Sequence, residues 1–109
     1  MNGANPKINN INVYANSSYK GGGIYLINSV SKIENSQLYN NITTGSTYGG
    51  GGGLAALYSS ISLLNSDIVN NSCGSDGFGA GVHLSYCDGI YFNNVLISDN
   101  QTDREVGGI

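Results

Sequence analysis

Apolar and asparagine positions along this chain keep a fixed frame, apolar-x-Asn-x-x-apolar-x-x-Asn, which occurs four times in 109 residues. Its rows are Ile8, Asn10, Val13, Asn16; Ile33, Asn35, Leu38, Asn41; Leu63, Asn65, Ile68, Asn71; and Phe92, Asn94, Ile97, Asn100, which start 25, 30 and 29 residues apart. Spacings in this range mean that one repeat is one supersecondary unit stacked on its copies. A glycine signature runs in phase with the frame: Gly21-Gly22-Gly23-Ile24, Gly51-Gly52-Gly53-Leu54, Gly79-Ala80-Gly81-Val82 and Gly107-Gly108-Ile109. After the clusters come runs suited to short strands, such as Ile24-Tyr25-Leu26-Ile27 and Val82-His83-Leu84-Ser85. No stripe of 3.6-residue period persists, and Gly and Asn are frequent, so a helical reading fails.

These patterns predict an all-β chain of about four coils, 25 to 30 residues each, with about three short strands and corners per coil. A unit this short cannot bury its own apolar side chains and must stack on its neighbours. With one strand spacing between coils, about 4.8 Å, equivalent positions form columns. The inward columns are expected to be Ile24, Leu54, Val82; Ile8, Ile33, Leu63, Phe92; and Val13, Leu38, Ile68, Ile97. Asparagine suits the corners, because it tolerates left-handed backbone and its amide satisfies nearby backbone groups. Asn10, Asn35, Asn65 and Asn94 are expected to form an amide ladder up the stack.

Composition narrows the function classes. Only 10% of residues are charged and the net charge is −3 with four basic residues, so there is no footprint for a nucleic acid backbone. No run of about 18 apolar residues occurs, so no membrane span is expected. Met1 leads straight into Asn2, Gly3, Ala4, Asn5 and Pro6, which is no signal peptide. The chain opens in half a repeat and stops at the start of another. It therefore reads as one segment, residues 1 to 109, of a longer repeat protein. Its ends would be covered by neighbouring coils of the parent protein or by a larger assembly.

Gly21-Gly22-Gly23-Ile24-Tyr25, followed by Ile33, Asn35, Leu38 and Asn41, resembles the right-handed parallel β-helix repeats of the pectin-lyase-like superfamily. More narrowly, it resembles the Gly-Gly-x-Ile and Phe-x-x-Asn repeats of polymorphic outer-membrane proteins and related adhesins. Val13, Leu38, Ile68 and Ile97 stand where those repeats usually carry Phe. The resemblance implies a right-handed parallel β-helix, or solenoid. It does not imply one activity, since this fold carries lyases, hydrolases, adhesins and ice-binding proteins.

Lyase or glycosidase chemistry needs grouped carboxylates. Glu34 aligns with Leu64 and Asn93, Asp67 aligns with Gln37 and Leu96, and no column repeats a carboxylate. Asp99 and Asp103 are close in sequence but lie beside the terminal turn, while Asp76, Asp88 and Glu105 complete the acidic set. Ice binding needs a regular threonine array, and Thr43, Thr44 and Thr47 cluster in one loop instead. No catalytic residue, metal site or cofactor is assigned.

His83, the only histidine, shares a column with Tyr25 and Ala55, and alternation with Val82 and Leu84 points it outward. That column suits stacking on a sugar or facing a partner, and equally a plain solvent face. Cys73 aligns with Ser18, Thr43 and Thr102, and Cys87 with Ser29 and Ser59. A Cys73–Cys87 disulfide and two unpaired thiols standing in for Ser or Thr are both open. Asn16, Asn41, Asn70 and Asn100 each begin an N-glycosylation acceptor triplet, one per coil. An asparagine buried in a ladder would be out of a glycosyltransferase's reach.

The favoured expectation is a structural or adhesive module of a secreted or cell-surface protein, with an outer face for glycan or protein. The alternative is part of a pectate-lyase-like lyase or hydrolase whose catalytic coils lie elsewhere in the protein.

Overall fold

The structure, a computed structural model, describes residues 1–45, 50–74 and 77–102; Thr47, Asp76, Asp103, Glu105 and the final Gly107-Gly108-Ile109 lie outside the described residues. Within them the chain is all-β, as expected, with no helix. The strands are β1 (Lys7–Asn9), β2 (Asn12–Tyr14), β3 (Ser17–Ser18), β4 (Ile24–Ile27), β5 (Val30–Glu34), β6 (Gln37–Tyr39), β7 (Ile42–Thr43), β8 (Leu54–Leu57), β9 (Ser60–Val69), β10 (Ser72–Cys73), β11 (Val82–Ser85) and β12 (Tyr91–Ser98). Every pairing is parallel and joins one repeat to the next. Three sheets result: β11-β8-β4, β10-β7-β3, and a larger one in which β9 pairs with β5, β6 and β12 while β1 and β2 lie outermost. The ten-residue β9 spans what the preceding repeat divides into two strands. Among the described residues, no helix is long and apolar enough to cross a membrane.

The corners explain how so short a strand can end and turn. Besides the glycine column Gly21, Gly51, Gly79, left-handed backbone recurs in three corner columns: Gly3, Asn28, Tyr58, Tyr86; Asn10, Asn35, Asn65, Asn94; and Ala15, Asn40, Asn70, Asp99, all with φ between 47° and 67°. Seven of these twelve positions are Asn, which accepts this conformation because its short amide bonds locally. Tyr58 and Tyr86, at φ 49° and 51°, are the exceptions with bulky side chains. Left-handed backbone costs a residue with a Cβ about 1–2 kcal/mol.

Most of these left-handed residues hand the chain to one whose side chain points inward and joins a hydrogen-bonded column, whereas Gly3, Asn10 and Asn94 precede Ala4, Ile11 and Val95. After Ala15, Asn40, Asn70 and Asp99 come Asn16, Asn41, Asn71 and Asn100, and these carry the continuous ladder. Nδ2 of Asn16, Asn41 and Asn71 each donates to Oδ1 of the next member at 3.0 Å. That same oxygen accepts the backbone N–H of the preceding member at 2.9–3.2 Å. Nδ2 of Asn41, Asn71 and Asn100 also donates to the carbonyls of Val13, Leu38 and Ile68, each at 2.9 Å. Asn41 and Asn71 are fully buried at 0% and 1% exposure, and every polar atom of their amides has a partner. The ladder therefore differs from the expected one. Asn10, Asn35, Asn65 and Asn94 are exposed corner residues, with amide contacts from Asn35 Nδ2 to Asn9 Oδ1 at 3.0 Å and from Asn94 Nδ2 to Asn65 Oδ1 at 2.9 Å but no continuous ladder among the described residues. Their φ, not their amide, is what the corner needs.

Two serine columns do the same work elsewhere. Ser29 N–H donates to Ser59 Oγ and Ser36 N–H to Ser66 Oγ, each at 3.1 Å. Each serine hydroxyl donates to the carbonyl two residues before it, at 2.8–2.9 Å. Cys87 continues the first column with a weaker version, its Sγ 3.4 Å from the Ser85 carbonyl.

Between these polar columns lies the apolar interior. Ile24, Leu54 and Val82 are in register, as are Ile8, Ile33, Leu63, Phe92 and Val13, Leu38, Ile68, Ile97, so the expected core columns are the observed ones. Leu26, Ile33, Leu38, Leu54, Leu63, Ile68 and Val82 are wholly buried. Among the described residues, Ser31, beside Ile61 in register, is the one polar misfit: its buried hydroxyl has no hydrogen-bond partner. The glycine clusters allow close approach of successive repeats, since a Cβ on Gly53 would sit 2.6 Å from Ile68 Cγ2 and 2.8 Å from the Gly81 carbonyl oxygen.

Candidate functional site

Strands β4, β8 and β11 lie side by side with Ile24, Leu54 and Val82 inward, so alternation turns Tyr25, Ala55 and His83 to the other face. They occupy one register column, and Ala55 between two rings leaves a notch. Gly50 closes it from the side. A Cβ there would lie 2.7 Å from both Cγ and Nδ1 of His83, so only glycine lets the backbone pass so near the imidazole. The notch holds about 190 Å³ and is lined further by Lys20, Leu57 and Ser85. Tyr25 and His83 are half-buried in its walls, while Ala55 at its floor is 4% exposed.

Burial pushes the His83 pKa below its ordinary value, against a smaller opposing effect of the Phe78 carbonyl, which hydrogen-bonds the ring. At neutral pH the imidazole is therefore a neutral donor and acceptor. With the Lys20 ammonium, the Tyr25 ring and the Ser85 hydroxyl, the notch offers one cation, two aromatic surfaces and several hydrogen-bonding groups. Such a set suits holding a polar ligand against a ring.

The other sequence-derived candidates fall apart in space. Among the described residues, no group of three His, Cys, Asp or Glu is placed to hold a metal. Glu34 stands in register with Leu64, and Asp67 with Gln37 and Leu96, so neighbouring carboxylates do not form a column. Glu34 is engaged by Lys32 at 3.0 Å on the same strand. Cys73 and Cys87 are both free. Cys73 is buried beside Thr43 in register, its Sγ 3.8 Å from the Phe78 carbonyl, and burial raises its pKa. Cys87 Sγ faces the carbonyls of Ala56 and Ser85, each at 3.4 Å.

The four acceptor asparagines are not equivalent. Asn16, Asn41 and Asn100 all commit Nδ2, the atom a glycan would take, to the inner ladder and its flanking carbonyls. Asn70 sits one residue before the ladder, exposed, and among the described residues its side-chain amide has no bond.

Lys20 and Gly50 were invisible as site residues in the sequence, because neither belongs to the repeating frame. The pairing of Tyr25 with His83 was visible, since their register follows from the glycine clusters. Compared with known proteins, the chain matches no family model, no curated protein and no solved structure.

Proposed function

We propose that this chain is a structural and adhesive segment of a secreted or cell-surface protein, built as a right-handed parallel β-helix of the pectin-lyase-like kind. Its stacked repeats act as a stiff spacer, and its outer face carries recognition of glycan or protein. The observation that carries this reading is the division of labour between columns. Inward positions repeat apolar, Asn and Ser residues and most corner positions repeat Asn or Gly, whereas the outward column changes from Tyr25 to Ala55 to His83 and forms a notch. A repeated interior with a varied exterior is how solenoids present binding surfaces. The extracellular placement draws its support from the recurring acceptor triplets, of which Asn70 is open to solvent. Neighbouring repeats of the parent protein, or a larger assembly, are the proposed partners along the stack.

A glycan-array screen of the chain, with Tyr25→Ala and His83→Ala beside it, tests the reading. Binding that falls in both variants supports it. An array without signal, together with release of unsaturated sugar from polygalacturonate, would replace it with the lyase alternative.

A further inference from the structure

The corner column Gly3, Asn28, Tyr58, Tyr86 poses a question that folding does not answer. Glycine and asparagine fill its first two positions, and either suits the left-handed backbone better than tyrosine. Yet two successive repeats place Tyr there, at φ 49° and 51°. Their rings stack with centroids 5.2 Å apart and planes 18° from parallel, while remaining 56% and 77% exposed. At that exposure, both rings keep surface open to solvent. The chain thus holds two large rings in solvent on backbone that tyrosine disfavours, a combination that clusters at binding sites.

Polar groups meet the rings on one side. Tyr58, Tyr86, Ser59, Ser60 and Asp88 line a shallow cleft of about 220 Å³. The Asp88 N–H donates to the Ser59 carbonyl at 3.2 Å, which fixes its backbone beside the cleft. Gly89, at φ 64°, turns the chain so closely that a Cβ there would lie 3.2 Å from Ser60 Oγ. Among the described residues, neither the Asp88 carboxylate nor the Ser60 hydroxyl has a side-chain partner.

A second stacked pair shows what the rings alone amount to. Tyr14 and Tyr39 stack at 5.1 Å and 6°, but on the paired strands β2 and β6, outside the left-handed positions. That pair is cross-strand packing of the ordinary kind.

We infer that the Tyr58–Tyr86 corner is a carbohydrate subsite, which takes a neutral pyranose with equatorial hydroxyls, as in β-linked glucose or N-acetylglucosamine chains. Such a sugar offers a flat C–H face to the exposed aromatic surface of the Tyr58–Tyr86 pair. Its hydroxyls donate to the Asp88 carboxylate and exchange hydrogen bonds with Ser60, and charge-assisted bonds of the first kind are the stronger. An acidic sugar would meet Asp88 as a like charge. The inference rests on the glycan-binding reading above and adds the place and the sugar class. Leu57 and Ser85 of the His83 notch immediately precede Tyr58 and Tyr86, so a chain of several sugars has continuous surface to follow.

Titration of the 109-residue chain with cellotetraose, chitotetraose and tetragalacturonate, followed through tyrosine ring NMR signals, tests this. The expected result is binding of a neutral tetraose that shifts the Tyr58 and Tyr86 signals, with tetragalacturonate weaker. Tyr86→Asn keeps the corner conformation, as Asn28 does, and should melt no lower than the parent while binding at least about tenfold more weakly. Asp88→Asn should weaken binding severalfold, and Tyr39→Ala should leave it unchanged. Neutral tetraose binding that survives Tyr86→Asn, or that Tyr39→Ala reduces equally, overturns the subsite and leaves the broader glycan reading standing. No saccharide binding on either this titration or the array removes both.

Discussion

Asn41 Nδ2 donates to Asn71 Oδ1 at 3.0 Å across thirty residues of sequence, and the same oxygen accepts the Asn41 backbone N–H. One buried side chain thus caps two donors of the preceding repeat. Removing it strands the Asn41 backbone N–H, takes from Asn41 Nδ2 one of its two acceptors and from the Leu38 carbonyl the donor that Asn71 Nδ2 supplies. Asn71→Ala should therefore lower unfolding free energy by on the order of 3 kcal/mol, since each orphaned buried group costs about 1–3 kcal/mol. Its neighbour Asn70 contributes only left-handed backbone, which Ala15 also adopts at φ 55°. Asn70→Ala should cost about 1 kcal/mol. Urea unfolding of the two variants measures the contrast, and equal losses would contradict the ladder's role.

Serine at position 87 should suit the structure better than cysteine. Ser29 and Ser59 bond the carbonyl two residues back at 2.9 Å, whereas Cys87 reaches its counterpart only at 3.4 Å. A hydroxyl there would also offer the Ser59 N–H the acceptor that Ser59 Oγ offers Ser29. Cys87→Ser is expected to keep or raise the melting temperature, with a gain of up to about 1 kcal/mol. A clear loss of stability would show that the thiol is packed rather than tolerated.

Ser31 is a second place where a single change should help. Its hydroxyl is buried without a partner in a column continued by Ile61. Ser31→Ala removes the desolvated group and should leave stability equal or raise it by about 1 kcal/mol. Thermal melting of the variant decides this.

His83 ties stability to pH through its depressed pKa. Because the folded state holds the imidazole neutral, the unfolded chain takes up a proton first as pH falls through about 6.5. Stability associated with this residue is complete above that pH and declines below it, until the folded pKa is passed. Melting temperatures between pH 7.5 and pH 5 should fall for the parent chain and fall less for His83→Gln. Parallel curves would exclude His83 as the source.

In a host that glycosylates Asn-x-Ser/Thr triplets, folded protein should carry glycan at Asn70 and none at Asn41, whose side chain is 0% exposed. Glycopeptide mass spectrometry of the folded fraction, with Asn70→Gln as control, gives the answer. A glycan on Asn41 in that fraction would be incompatible with the ladder.

Much of this architecture is written in the chain's periodicity. The core columns through Ile33, Leu38 and Leu54 follow from it directly, and so does the alignment of Cys73 with Thr43. The function of each asparagine does not. Asn40-Asn41 and Asn70-Asn71 place a left-handed residue and a ladder residue side by side, and composition cannot say which amide turns inward. Ala15 and Asp99 blur the corner signal further, since neighbouring repeats impose a conformation that their own preferences do not request. Tyr58 and Tyr86 were hidden for the same reason: local propensity argues against tyrosine at a left-handed corner. The notch was half legible, because Tyr25 and His83 share a repeat position while Gly50 and Lys20 come from connecting segments outside the frame.

The inner asparagine column also has a sense. Between Asn16, Asn41, Asn71 and Asn100, every amide-to-amide bond runs from the nitrogen of one repeat to the oxygen of the next. Aligned amide groups add their dipoles, as peptide groups do along a helix, so the column is polar from one end of the stack to the other. Two such columns meeting head to head would oppose nitrogen to nitrogen or oxygen to oxygen. Head to tail, the hydrogen-bond chain simply continues, so this interior favours extension in one direction and selects against reversed stacking before any surface residue is consulted.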